Sequence, residues 1–175
     1  HFKLVRLIRE HGPWVDISWL PLTVLGERGP DHHWLFHVLL APLTLLGQDR
    51  LALDLSAAIV GALVLVGVYV ILRRARVPLA IGFALLTMVS ASVLPFRFLT
   101  LRAQSLALLL TLMVLFALTA RRWCLVGIAA FLFMQSYHGA VILTALPLVV
   151  VAAARMRREP LLWQGLIAVP LGVAL

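Results

Sequence analysis

LALDLSAAIVGALVLVGVYVILRRAR, running from Leu51 to Arg76, decides the fold. Between Leu51 and Leu72 the only charge is Asp54, near the start. About 20 helical residues of this character cross a hydrocarbon core of about 30 Å. The run then stops against Arg73, Arg74 and Arg76. A long apolar helix closed by arginines predicts a membrane crossing whose basic end rests at the cytoplasmic leaflet.

The same pattern repeats further along the chain. Leu79–Pro95 is a second apolar run, and Arg102–Ala120 is a third, closed by Arg121 and Arg122. Trp123–Met134 is a short fourth run that extends to Tyr137. Gly139–Ala154 is a fifth, closed by RMRR at Arg155–Arg158, and a sixth opens at Leu161. The expected fold is all-α: a polytopic transmembrane bundle of five to six spans over residues 51–175. Residues 1–50 are expected to form an extracytoplasmic loop with short amphipathic or re-entrant helices.

Composition points the same way. The 175 residues are 63% hydrophobic, and mean hydropathy is +1.05. A water-soluble domain of this size has too little polar surface to cover such a content. The net charge of +8 sits in short clusters between apolar runs. That is the pattern of loops facing anionic lipid, and it excludes nucleic acid as a partner. Cys124 is the single cysteine, so no disulfide within the chain and no CxxC metal pair can form. A start at His1 and an end inside an apolar run lead us to expect a piece of a longer protein.

Within the first fifty residues, HFKLVRLIREHG (His1–Gly12) alternates apolar and charged residues at helical spacing and stops at Gly12-Pro13. It reads as a short helix at the membrane surface. WVDISWLPLTVLGERGP (Trp14–Pro30) reads as an irregular loop, with Trp14 and Trp19 suited to the headgroup level. GPDHHWLFHVLLAPLTLLG (Gly29–Gly47) then gathers Asp31, His32, His33 and His37 at the head of a greasy segment. Asp31 is expected to cap that helix, and Gly47 to end it before it is long enough to span.

Basic clusters follow the first, third and fifth runs, so the remaining loops face the opposite side. This sorting brings Asp31, the histidines, Arg97, Arg102, Gln104, Tyr137 and His138 to one outer face. Asp31 and His32 are the candidate catalytic residues, because a carboxylate beside an imidazole moves protons. Arg97, Arg102, Gln104 and His138 are candidates for binding phosphate, for which a guanidinium fork is well shaped. Asp31, His33 and His37 are candidate ligands for a divalent metal ion as cofactor; His33 and His37, four apart, share a helix face. Each has a plainer reading: a capping Asp, interfacial histidines, and arginines that snorkel to the headgroups.

Three further stretches carry a family resemblance. HFKLVRLIREHG resembles the H-x-x-x-x-R-x-I…Gly pattern of the first outer loop of GT-C fold glycosyltransferases. LPFRFLTLRAQSLALLL resembles that family's outer arginine loop entering a later span, and FMQSYHGAVIL its polar-His-Gly step. The family includes protein mannosyltransferases and oligosaccharyltransferase catalytic subunits. The resemblance implies sugar transfer from a lipid-phosphate-linked donor at the extracytoplasmic face of a bacterial cytoplasmic membrane. The family's catalytic acid would fall just before His1, so Asp31 or His32 would bind metal or phosphate or position the acceptor. Alternatives left open by the residues are a transporter or flippase, and a non-catalytic membrane subunit; a di-iron oxidase with histidine boxes fits poorly.

Overall fold

The computed structural model describes residues 2–13, 31, 33–47, 49–90, 102–137, 139, 143, 145–148, 167, 169–171 and 173. Among them the chain is all-α, with no strand. Six α-helices and one 3₁₀ helix follow in order: α1 (Phe2–His11), α2 (Trp34–Leu40), the 3₁₀ helix (Ala41–Leu46), α3 (Asp49–Arg74), α4 (Ala80–Val89), α5 (Ala103–Thr119) and α6 (Trp123–Ser136). The fifth and sixth expected runs lie largely outside the described residues.

The N-terminal segment folds much as its pattern suggests. Gly12 ends α1 with φ +95°, a conformation that a side chain would strain. The apolar face of α1 does not simply lie on a membrane surface, however. Val5 and Ile8 are buried, and α1 packs on α2 and the 3₁₀ helix. Arg9 donates to the Thr44 carbonyl at 3.2 Å and to its hydroxyl at 3.3 Å. Trp34 Nε1–H donates to the Pro13 carbonyl at 2.7 Å, which pins the start of α2 to the end of α1. At Pro42 the α-helix tightens into 3₁₀ geometry, since proline supplies no amide hydrogen to an α-helical bond. Gly47, at φ 73°, closes the segment as expected.

α3 is the element on which the rest is hung. Among the described residues it is the one helix both long and apolar enough to cross a membrane, over Arg50–Arg74. α5 and α6 are apolar but have 17 and 14 residues, about 26 and 21 Å. Two faces of α3 differ sharply. Ala52, Ser56, Ala57 and Val64 are buried, whereas Leu51, Leu55, Ile59, Leu63, Val66 and Val70 are exposed at spacings of three and four. α4 also exposes large apolar residues, Ile81, Phe83, Leu85, Leu86 and Val89. In water so continuous an apolar surface is a liability, whereas hydrocarbon covers it without cost.

The relative directions of the helices can be read from two contacts. A Cβ at Gly67 would lie 3.2 Å from Leu112 Cδ1, and the Arg74 guanidinium sits 5.4 Å from the centre of the Phe116 ring. Later residues of α3 therefore meet later residues of α5, so the two helices run parallel and finish at one end. α5 and α6 are joined by only residues 120–122 and pack along their lengths, so α6 runs back. Ser136 thus arrives at the end from which α5 started. There Phe36 and Leu40 of α2 join Ala103, Leu106, Leu110 and Phe133 in one core.

Both basic ends are closed by the same backbone device. Arg76 N–H bonds to Arg73 O and Val77 N–H to Leu72 O, both at 3.0 Å. Arg121 N–H bonds to Leu118 O at 3.1 Å and Arg122 N–H to Ala117 O at 2.9 Å. These are Schellman closures, which usually place glycine in the left-handed position. Here the position is held by Arg76 (φ 57°) and Arg121 (φ 55°).

Candidate functional site

Asp31 does not cap α2. That helix starts at Trp34 with His33 in the capping position, and no side chain bonds there. Asp31 sits one turn earlier and closes the approach instead. Its Oδ1 accepts the His33 amide at 3.0 Å, and its carbonyl accepts the Trp34 amide at 3.0 Å. This is an Asx turn, the local alternative to a cap for a short carboxylate. The turn swings Oδ2 over the first turn of α2, where His37 Nδ1–H donates to it.

His37 is 1% exposed and lies against Phe36. A carboxylate accepts only, so the proton of this bond belongs to His37 Nδ1, and the remaining chemistry of the ring is at Nε2. Burial on its own would push the Asp31 carboxyl up. The His37 hydrogen bond, the His33 amide and the charges of both rings outweigh it, and hold the carboxyl below its ordinary value.

His33 turns the other way. Its Nδ1–H donates to the Ser136 carbonyl at 2.8 Å. Its ring stacks on Tyr137, with centroids 6.1 Å apart and planes 11° from parallel. Tyr137 in turn meets the edge of Phe133. Ser136 is fully buried and its hydroxyl donates back to the Leu132 carbonyl at 2.8 Å. The C-terminal carbonyls of a helix lack intrahelical donors, so His33 satisfies one at the end of α6. An imidazole there also suits the negative end of the helix dipole. The two rings stand 6.4 Å apart, edge to face.

The expected outer-face residues are thus brought together in part. Asp31, His33, His37 and Tyr137 form one cluster across α2 and the end of α6. Arg102 is exposed at the start of α5, where its carbonyl accepts the Ser105 amide at 3.0 Å; Gln104 is exposed two residues on. Both lie at the same end of the bundle as Ser136. His32, Arg97 and His138 lie outside the described residues. Among the described residues no group of three or more His, Cys, Asp and Glu is arranged to hold a metal ion. The trio Asp31, His33 and His37, expected as ligands, uses its carboxylate as an acceptor of N–H bonds instead. An Asp that accepts a ring N–H orients the histidine, and it is not itself turned toward a metal.

Ser136 is the partner that sequence reasoning passed over. The polar run Gln135–His138 marks the neighbourhood, but the contact is made by a backbone carbonyl, which any residue would supply. Compared with known protein families, characterised proteins and solved structures, the chain matches none.

Proposed function

We propose that this chain is part of a polytopic glycosyltransferase of the GT-C kind, seated in a bacterial cytoplasmic membrane. In this reading α3 to α6 all cross the bilayer, and the exposed apolar flanks of α3 and α4 face lipid. The donor is a sugar linked to a lipid phosphate, handled at the end of the bundle that carries Asp31.

The observation that carries the reading is the linkage from Asp31 through His37 and His33 to Ser136, at the end opposite Arg73, Arg74 and Arg121. A carboxylate, two imidazoles and a tyrosine gathered at one end of an apolar bundle is the placement expected of a functional polar site.

Transfer proceeds as one displacement. A base takes the proton of the acceptor hydroxyl, whose oxygen bonds to the anomeric carbon. The bond from that carbon to the carrier phosphate breaks, and the electron pair stays on the phosphate oxygen. Asp31 is not the base: two N–H donors hold it ionised and weakly basic. It positions His37, while Arg102 and His138 meet the charge of the departing phosphate.

The test is transfer from radiolabelled polyprenyl-phosphate sugars by the full-length protein in membranes. Arg102→Ala at matched expression is expected to lower transfer by about 10²-fold. Unchanged transfer removes Arg102 from the site. Absence of transfer from every donor by the unaltered protein favours a transporter or a non-catalytic subunit.

A further inference from the structure

A second polar feature lies at the opposite end of the bundle. Where α3 turns into α4, a cavity of about 360 Å³ is lined by Tyr69, Arg73 and Arg76 on one side and by Leu79, Ala80 and Ile81 on the other. Arg73 Nη1–H donates to the Tyr69 hydroxyl oxygen at 2.9 Å. That bond uses the oxygen as acceptor and leaves the phenolic proton to be donated elsewhere. The Schellman closure fixes Arg76 in the left-handed conformation beside it. Leu79 is 80% and Ile81 64% exposed at the apolar rim.

The charge balance of this end is one-sided. Between Asp54 and Glu159 the sequence contains no acidic residue. Asp54 lies 19 residues before Arg73 on the same helix, about 28 Å away along it. The arginines of this cavity therefore have no carboxylate on α3, α4, α5 or α6 within reach. Any counter-charge to them has to come from outside those helices.

We propose that this cavity binds the phosphate of an anionic phospholipid. Arg73 and Arg76 grip the phosphate oxygens, Tyr69 donates its hydroxyl proton to the same group, and Leu79 and Ile81 border the first acyl carbons. The chemistry fits both parts of the ligand: guanidinium forks for a phosphate, and an apolar rim that opens toward the hydrocarbon side of α4. The proposal rests on the membrane placement given above and is independent of sugar transfer.

The test uses the full chain in phosphatidylcholine nanodiscs containing a minor fraction of spin-labelled phosphatidic acid, read by electron paramagnetic resonance. Motionally restricted phosphatidic acid is expected to exceed restricted phosphatidylcholine by about fivefold per arginine engaged. The pair Arg73→Gln with Arg76→Gln should abolish that preference. Arg121→Gln with Arg122→Gln, at the same end, should leave it. Tyr69→Phe, which keeps every charge, should weaken it and guards against misfolding of the double variant. Equal loss in both arginine pairs, or no preference in the unaltered chain, overturns the site. Full competition by inorganic phosphate also overturns it, because the ligand is then a free anion. Carbonate-resistant insertion scored in the same samples tests the membrane placement separately; a chain that fails to insert overturns both readings.

Discussion

His33 of α2 and Ser136 of α6 are 103 residues apart, yet the imidazole Nδ1–H donates to the serine carbonyl at 2.8 Å. The contact ties the short helix α2 to the end of a core helix. It adds to the apolar contacts of Phe36 and Leu40 and to the Trp34 bond to Pro13 that also hold α2. His33→Phe should keep the stack on Tyr137 but lose the bond, at a cost of about 1–2 kcal/mol. Amide exchange in α2 should then speed up while that of α3 stays constant; equal exchange rates in α2 would refute the tie.

Asp31→Asn tests the other half of the cluster. The amide retains an acceptor for the His33 amide but presents an N–H₂ or a single oxygen to two donors. His37 must then switch its proton to Nε2 or lose its partner. A destabilisation of about 1–3 kcal/mol is expected, together with a ¹⁵N spectrum reporting a changed His37 tautomer. An unchanged tautomer would contradict the assignment of the shared proton to Nδ1.

The depressed Asp31 carboxyl also sets a pH window. Its folded-state pKa lies below the ordinary value of 3.8. The stability it contributes is therefore present above that value and is lost as pH falls through the lower folded value. Carbonyl ¹³C titration of Asp31 should show a midpoint under 3.8. Through this group the outer segment should be insensitive to pH in the neutral range. A midpoint above the ordinary value would mean that burial, not the imidazole bond, controls the carboxyl.

At Gly67 a bare methyl group would already press on Leu112 at 3.2 Å. Gly67→Ala should be tolerated with a small shift of that flexible side chain. Gly67→Leu has no such remedy and should part α3 from α5, lowering stability by about 1–3 kcal/mol. Thermal unfolding in detergent would check the ranking, and equal melting of the two variants would show that the helices do not meet there.

The arginines in left-handed conformation invite the opposite kind of change. Arg121→Gly should raise stability by roughly 0.5–1 kcal/mol, because glycine adopts φ 55° without the Cβ clash. Arg121→Ala, which removes the charge and keeps the clash, should not. A gain in both variants would assign the effect to charge instead of backbone.

Much of this architecture was legible in the residues. Leu51–Arg76 announced α3 because length, apolarity and a basic stop are local properties, and the helix found is Asp49–Arg74. Gly12 and Gly47 marked their helix ends because a left-handed backbone needs glycine there. α5 and α6 fall within a residue or two of their expected bounds. The start of α2 lies two residues beyond the expected one, with His33 in place of Asp31 at the cap: Asp31 suits a cap, but its second oxygen has a competing partner in His37. The split of the HxxxH pair was also hidden. Spacing puts His33 and His37 on one helix face, and only packing against α6 turns one toward Asp31 and the other toward Ser136.

The helices that share the basic end do not share a length. α3 has 26 residues and α5 has 17, so α3 overhangs by nine residues, about 13 Å. The short helices α1 and α2 and the 3₁₀ helix occupy that step. In a bilayer, lipid beside the bare flank of α3 meets a tall apolar wall. Lipid beside α5 and α6 meets a low one, topped by histidine, tyrosine and arginine. If α3 to α6 cross a bilayer as proposed, hydrophobic mismatch acts on one side only and the leaflet dips toward the polar cluster.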